Sequence, residues 1–263
     1  MSKMRHDALF DPKAHSATAL TTLSYEFDDR YRIPEHFHDT DQLVFASKGV
    51  MTIRTEQGVW IVPPQRAVWI PSRTVHTIVM SGTVSMRTLY LAPRYVRRLP
   101  RSCCVLNVNS LLKELIIFAC KTPAWTKDVP NQRHFLGTLV HQLQAAPSSP
   151  LHLPRPADPR AVRVAEKVLT HPGNARSLAR ICEDCGASKR TIERLFVEET
   201  QLTLGRWRQQ ARLLHAIRSI ASGEKIISAA LEAGYNSPSS FIVCFKRLLG
   251  CTPSRYFDPD TSA

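Results

Sequence analysis

From Leu23 to about Leu91, short apolar runs rich in β-branched and aromatic residues alternate with turn-forming residues. The runs are Gln42-Leu-Val-Phe-Ala, Val50-Met-Thr-Ile-Arg, Val59-Trp-Ile-Val, Ala67-Val-Trp-Ile, His76-Thr-Ile-Val-Met and Ser85-Met-Arg-Thr-Leu-Tyr-Leu. Between them stand Lys48-Gly49, Gln57-Gly58, Pro63-Pro64, Pro71 and Ser81-Gly82. Glycine reaches backbone conformations closed to other residues and proline cannot donate to a sheet ladder, so each of these sites predicts a break between strands. Several short strands at near-regular spacing predict an antiparallel sandwich or barrel.

Beyond Pro100 the apolar period changes to that of a helix. Leu111, Leu112, Leu115, Ile116 and Ala119 form one stripe, and Phe135, Leu136, Leu139, Val140 and Leu143 form another. Two amphipathic helices result, whose stripes could pack on the sheet, on each other, or on a second copy of the chain in a homodimer. Prolines at 147, 150, 154, 156 and 159 then predict a semi-extended linker. From Arg160 the pattern is helical and one unit is written twice. Each copy has a short helix, a glycine (Gly186, Gly234), a serine (Ser188, Ser237) and a second helix. The expected fold is therefore α+β in two domains: a β domain at 1–100, helices at 101–145, a linker at 146–159, and an all-α domain with two helix-turn-helix units at 160–257.

The formal charge of +13 favours an anionic partner such as nucleic acid. It does not locate that partner, because 19 basic residues face 12 acidic ones before Arg160 and 16 face 10 from there on. Seven cysteines at scattered positions do not form a secreted disulfide framework, and Cys182-x-x-Cys185, inside a short helix without a second ligand pair, reads as packing. The first sixteen residues lack an apolar core of signal-peptide length, and no apolar run approaches a membrane span. A cytoplasmic protein with no membrane partner is expected.

The doubled unit carries the chemistry of a DNA reader. Gly186 and Gly234 suit the sharp break, Ser188 and Ser237 suit N-caps, and Pro238 suits the first helical position. In the first reading helix Ile192, Leu195 and Phe196 turn inward, leaving Lys189, Arg190, Glu193 and Arg194 outward. In the second, Phe241 and Phe245 turn inward and Ser239, Ser240, Val243 and Lys246 outward. A connecting helix of ~19 residues spans roughly 28 Å, near the ~34 Å between successive major-groove faces, so one chain can address two adjacent grooves. Trp207 and Arg208 on that strut are expected in packing and phosphate contacts.

Ser188 through Phe196, Glu199-Thr200, Gly205-Arg-Trp-Arg, Ala233-Gly-Tyr-Asn-Ser-Pro-Ser-Ser-Phe, Phe245-Lys-Arg, Gly250 and Thr252-Pro-Ser-Arg-Tyr together resemble the AraC/XylS family of regulators over about 160–257. The resemblance implies double-stranded promoter DNA and RNA polymerase as partners, with activation of transcription. It places Arg190, Glu193 and Arg194 of the first unit, and Pro238, Ser239 and Val243 of the second, against DNA.

In the β domain, His36-Phe-His38, Gln42, Gly49, Pro64 and His76 resemble the two motifs of a cupin barrel. The resemblance implies a sensor site for a divalent metal or a small organic effector at His36, His38, Gln42 and His76, with Trp60 and Trp69 nearby; structural histidines are the third reading. Where metal-binding cupins carry glutamate this chain has Gln42, a neutral and weaker ligand. The competing function is a cupin metalloenzyme fused to a DNA-binding tail, which the missing acid and the lack of a nucleophile triad, phosphate loop or paired carboxylates disfavour. A non-specific architectural DNA binder is a further rival, disfavoured because phosphate contacts alone need no pair of shaped readers.

Overall fold

The computed structural model describes residues 18–257 apart from 123, 150 and 175. The sequence before residue 18 lies outside the described residues. The chain divides into two compact units, one holding residues up to Glu56 with Trp60–His152, the other Gln57–Val59 with everything from Leu153 onward.

The first unit is an antiparallel sheet with two helices on one face. The strands of the chain are β1 (Leu20–Phe27), β2 (Arg32–His36), β3 (Asp41–Thr55), β4 (Gly58–Val62), β5 (Arg66–Ile70), β6 (His76–Leu91), β7 (Cys104–Asn107), β8 (Ala124–Trp125), β9 (Ser148–Ser149) and β10 (His152–Pro154), of which Gly58, Val59, Leu153 and Pro154 fall to the second unit. The path runs β8-β1-β6-β3-β5-β7-β9, with β2 also on β6 and β4 on β3 and β10. Two expected breaks are not breaks. Gly49 and Gly82 adopt φ of +74° and +72° inside β3 and β6, and register shifts there let two long strands bend without ending. A Cβ at Gly49 would lie 2.5 Å from the Thr83 carbonyl oxygen, so the bend also needs glycine for space.

Pleating sorts the side chains of the central strands. Leu43, Phe45, Leu89, Leu91, Ala67 and Trp69 share a buried cluster with Leu112 and Ile116 of α1 (Ser110–Ala119) and Leu136, Leu139 and Leu143 of α2 (Pro130–Ala145). The alternate residues Gln42, Thr88 and Tyr90 are buried on the opposite face. Trp69 therefore belongs to the helix-covered core, where its indole donates to the Pro100 carbonyl at 3.0 Å, and Trp60 stacks on His152 with centroids 4.8 Å apart. Both are buried, as a core role for these residues requires. The proline-rich stretch is also more structured than a spacer: β9 pairs with β7, and Pro147, which has no donor, accepts from the Asn107 amide at 2.8 Å.

The second unit is helical: α3 (Pro159–Thr170), α4 (Leu178–Glu183), α5 (Lys189–Thr200), α6 (Leu204–Ala221), α7 (Ile226–Glu232), α8 (Pro238–Leu249) and α9 (Pro253–Phe257). The pairs α4–α5 and α7–α8 are the two helix-turn-helix units. Gly186 and Gly234 take the left-handed conformation at their breaks, with φ of +79° and +87°. Fully buried Phe196, Trp207, Phe241 and Phe245 fill the interior of this unit, and the Trp207 indole donates to the Pro154 carbonyl at 2.8 Å. No helix among the described residues is long and apolar enough to cross a membrane.

Candidate functional site

Each reading helix begins with the cap its sequence specifies. The Ser188 hydroxyl accepts from the Thr191 amide at 3.2 Å, and the Ser237 hydroxyl accepts from the Ser240 amide at 3.2 Å. On α5, Ile192 and Phe196 are fully buried, Lys189, Arg190 and Arg194 are exposed, and Glu193 is partly exposed. Two pairs lie along that surface: Lys189 Nζ is 3.3 Å from Glu193 Oε1, and Arg194 Nη1 is 2.9 Å from both carboxylate oxygens of Glu198. Arg190 has no ion pair among the described residues. On α8, Phe241 and Phe245 are buried, Ser239, Ser240, Val243 and Lys246 are exposed, and Pro238 opens the helix partly covered. The Ser240 hydroxyl is turned back, donating to the Ser237 carbonyl at 2.7 Å.

Arg208 takes part in packing on the strut. Its guanidinium donates to the carbonyls of Asn174 and Arg176, tying α6 to the loop before α4. Burial and the neighbouring Arg212 lower its pKa. Arg212 makes a parallel tie to the Pro172 carbonyl at 2.9 Å. Beneath these ties Gly173 and Gly234 touch backbone to backbone: a Cβ on Gly173 would lie 2.0 Å from the Glu232 carbonyl oxygen. Cys182 and Cys185 are both buried, and burial pushes the Cys182 thiol up to about 11, so in this structure it is a neutral thiol at neutral pH.

In the first unit the end of β2, the turn after it and the start of β6 bring His36, His38 and His76 together. Each offers one ring nitrogen, and the three lie within 4.8 Å of one another. Ring centroids are 4.3 Å apart for His36 and His76, 4.9 Å for His36 and His38, and 5.6 Å for His38 and His76. The Nδ1 atoms of His36 and His76 each sit 2.8 Å from a backbone carbonyl, of Pro34 and Thr74. A carbonyl only accepts, so Nδ1 carries the proton and Nε2 keeps its lone pair. His76 Nε2 is buried without a hydrogen-bond partner. Burial lowers the His36 pKa; burial and the His36 ring push His76 down to about 4, so both are neutral at physiological pH.

Gln42 is linked to this cluster through Tyr90. Gln42 Nε2 donates to the Thr88 hydroxyl at 3.1 Å, Thr88 and Gln42 face the Tyr90 hydroxyl, and the Tyr90 ring meets His38 edge-on at 4.8 Å. Gln42 Oε1 is buried without a donor. Sequence reading missed Thr88 and Tyr90, which carry no motif; the signal that finds them is their pairing beside Gln42 and Val44 across the β3–β6 ladder.

The three imidazoles fit a metal of the imidazole-preferring kind. Bonds of ~2.0–2.1 Å at tetrahedral angles set ligand atoms about 3.4 Å apart, so side-chain rotation must draw in a pair as wide as 4.8 Å by more than an ångström. The tautomers and the orphaned His76 nitrogen are those a ligand set needs.

A sheet domain with a buried polar site, joined to a doubled helix-turn-helix, defines a DNA-binding transcription regulator with a ligand-binding domain. Residues 176–258 match the family described as helix-turn-helix domain, and residues 19–153 match the AraC-like ligand binding domain. The HTH-type transcriptional regulator NimR of Escherichia coli K12 is 31% identical over 247 residues, which are 94% of this chain and 90% of that protein. The HTH-type transcriptional regulator RipA of Corynebacterium diphtheriae is 33% identical over 107 residues, 40% of this chain and 32% of its own. Among solved structures, ToxT from Vibrio cholerae O395 covers 93% of this chain and 99% of its own, at 13% identity and a TM-score of 0.39. The chain belongs to the AraC/XylS family of transcription regulators.

Proposed function

We propose that this regulator responds to a divalent metal held by His36, His38 and His76. The observation that carries the reading is the His76 Nε2 lone pair, buried, unpartnered and gathered with two more imidazoles. A buried ring nitrogen without a partner costs stability, and an ion would satisfy it. An ion such as Zn2+, Ni2+ or Fe2+ would supply fixed positive charge and a tie between the end of β2, the turn after it and β6. Occupancy shifts the population of states in which the second unit binds its operator. That unit reads DNA through Lys189, Arg190, Glu193 and Arg194 from α5 and Pro238, Ser239, Val243 and Lys246 from α8, with Ser188, Ser237 and Ser240 fixing the helix starts.

The protein acts in the cytoplasm as an activator that works with RNA polymerase, and it has no catalytic role of its own. Exposed Leu111 and Phe118 on α1 support a homodimer through the helices of the first unit. Gln42 Oε1, buried without a donor, favours a second reading in which a small organic effector hydrogen-bonds there.

The test is thermal melting of metal-stripped protein against a panel of divalent metals, beside a His36→Ala/His38→Ala/His76→Ala variant. A metal at 100 times its Kd should stabilise the wild type by about 2.7 kcal/mol and leave the variant unmoved. If no metal separates the two proteins, the metal reading fails and the organic effector takes its place.

A further inference from the structure

The two reading helices offer unlike chemistry to a base edge. α5 presents three charged side chains in its first two turns besides Arg190, and two of the contacts described above tie those three up. Glu193 is held by Lys189, and Arg194 by Glu198. Arg190 is left exposed and without an ion pair among the described residues. α8 has no charged or amide side chain from Pro238 to Phe245. Its Ser240 hydroxyl is tied to the Ser237 carbonyl, so ahead of Lys246 the exposed side chains it can turn toward a groove are Ser239 and Val243. Val243 is 69% exposed, more than any other large apolar side chain among the described residues.

Bases answer these side chains differently. A guanidinium pairs in a fork with O6 and N7 of guanine, whereas an aliphatic side chain finds only the 5-methyl of thymine in the major groove. A serine hydroxyl donates or accepts and discriminates little. We infer that the operator is chemically asymmetric: Arg190 selects a guanine in the half-site under α5, and Val243 selects a thymine methyl in the half-site under α8. The inference rests on reading α5 and α8 as the helices that enter the groove. Val243 neutralises no phosphate, so its part of the affinity is independent of salt, while the part carried by Arg190 weakens as salt rises.

The full-length protein is used to enrich binding sites from a random duplex library, and the best site is rebuilt with single-atom changes. Replacing one thymine of the α8 half-site by deoxyuridine, which lacks only the methyl, should weaken wild-type binding about fourfold and leave Val243→Ala unaffected. Replacing one guanine of the α5 half-site by 7-deazaguanine should weaken wild type about fivefold and leave Arg190→Ala unaffected. Val243→Arg should enrich guanine where wild type enriches thymine. The inference is overturned if every thymine methyl is dispensable, or if the deoxyuridine loss persists in Val243→Ala. A protein that enriches no sequence at all would overturn the DNA-reader assignment of these helices along with it, which separates the two failures.

Discussion

The two units treat polar side chains in opposite ways. The first buries them: His38, His76, Gln42 and Thr88 are all nearly inaccessible, and His76 Nε2 and Gln42 Oε1 lack partners. The second keeps its reading groups in water and spends its interior on aromatic packing and on arginines satisfied by carbonyls. A sensing site gains from groups that only a ligand can satisfy, since binding energy then appears as a change of state. A reading surface gains from rigid placement, since DNA supplies the partners. The first unit should therefore be sensitive to proton and ligand, and the second to backbone geometry.

The largest effect expected from this contrast is at Gly173. Alanine there meets the Glu232 carbonyl oxygen at 2.0 Å, a backbone atom that cannot swing aside. Gly173→Ala should cost about 3 kcal/mol, through backbone shifts that part α7 from the loop before α4. Operator affinity and the helical melting transition of the full chain should both fall, while the stabilisation of the first unit by ligand persists. An unchanged helical transition would mean that the Gly173–Gly234 contact does not hold the two helix-turn-helix units in register.

A similar or somewhat smaller effect belongs to acid. His76 titrates near 6.5 when unfolded and is held down to about 4 when folded, so between those values the unfolded chain binds more protons. Its contribution is complete above about pH 6.5 and is lost as pH falls toward 4, on the order of 3 kcal/mol in metal-free protein. The lowered His36 pKa acts in the same direction, and the raised Asp41 pKa acts against it. Denaturant titrations of wild type and His76→Asn at pH 7.5 and 4.5 isolate the His76 part: the stability gap between the two pH values should be smaller in the variant. Equal gaps would place the histidine in an environment far wetter than the structure shows.

How much of this was legible in the sequence follows the same divide. In the second unit local rules decide the outcome, since caps, left-handed glycines and inward stripes are set within a few residues of each other. Ser188, Gly186, Phe241 and Phe245 stand where the pattern puts them. The partners of Arg208 were not legible, because charge on a helix says nothing about a distant loop whose carbonyls want a donor. In the first unit, His36-x-His38 and His76 could be singled out as ligand types, and the structure brings them together. Glycine as a strand breaker failed at Gly49 and Gly82, because a left-handed residue can bulge a strand as readily as end it. Tyr90, Thr88 and the placement of Trp69 depend on strand register, which no single stretch of sequence contains.

The smallest effect sharpens the comparison within the second unit. Ser188 and Ser237 make the same cap, yet their helices differ in what else fixes the start. α8 begins with Pro238, whose ring presets the first helical φ, and the Ser240 hydroxyl adds a bond to the Ser237 carbonyl. α5 has no proline, and Ser188 shares its hydroxyl with Thr191 at 2.9 Å. Ser188→Ala should cost about 1 kcal/mol and Ser237→Ala about half of that, by denaturant unfolding at fixed salt. Operator affinity should follow in the same order, because a frayed first turn misplaces Arg190, whose guanine contact is directional, more than Val243, whose methyl contact is not. A larger loss at Ser237 would show that the apolar reader depends on its cap as strongly as the charged one.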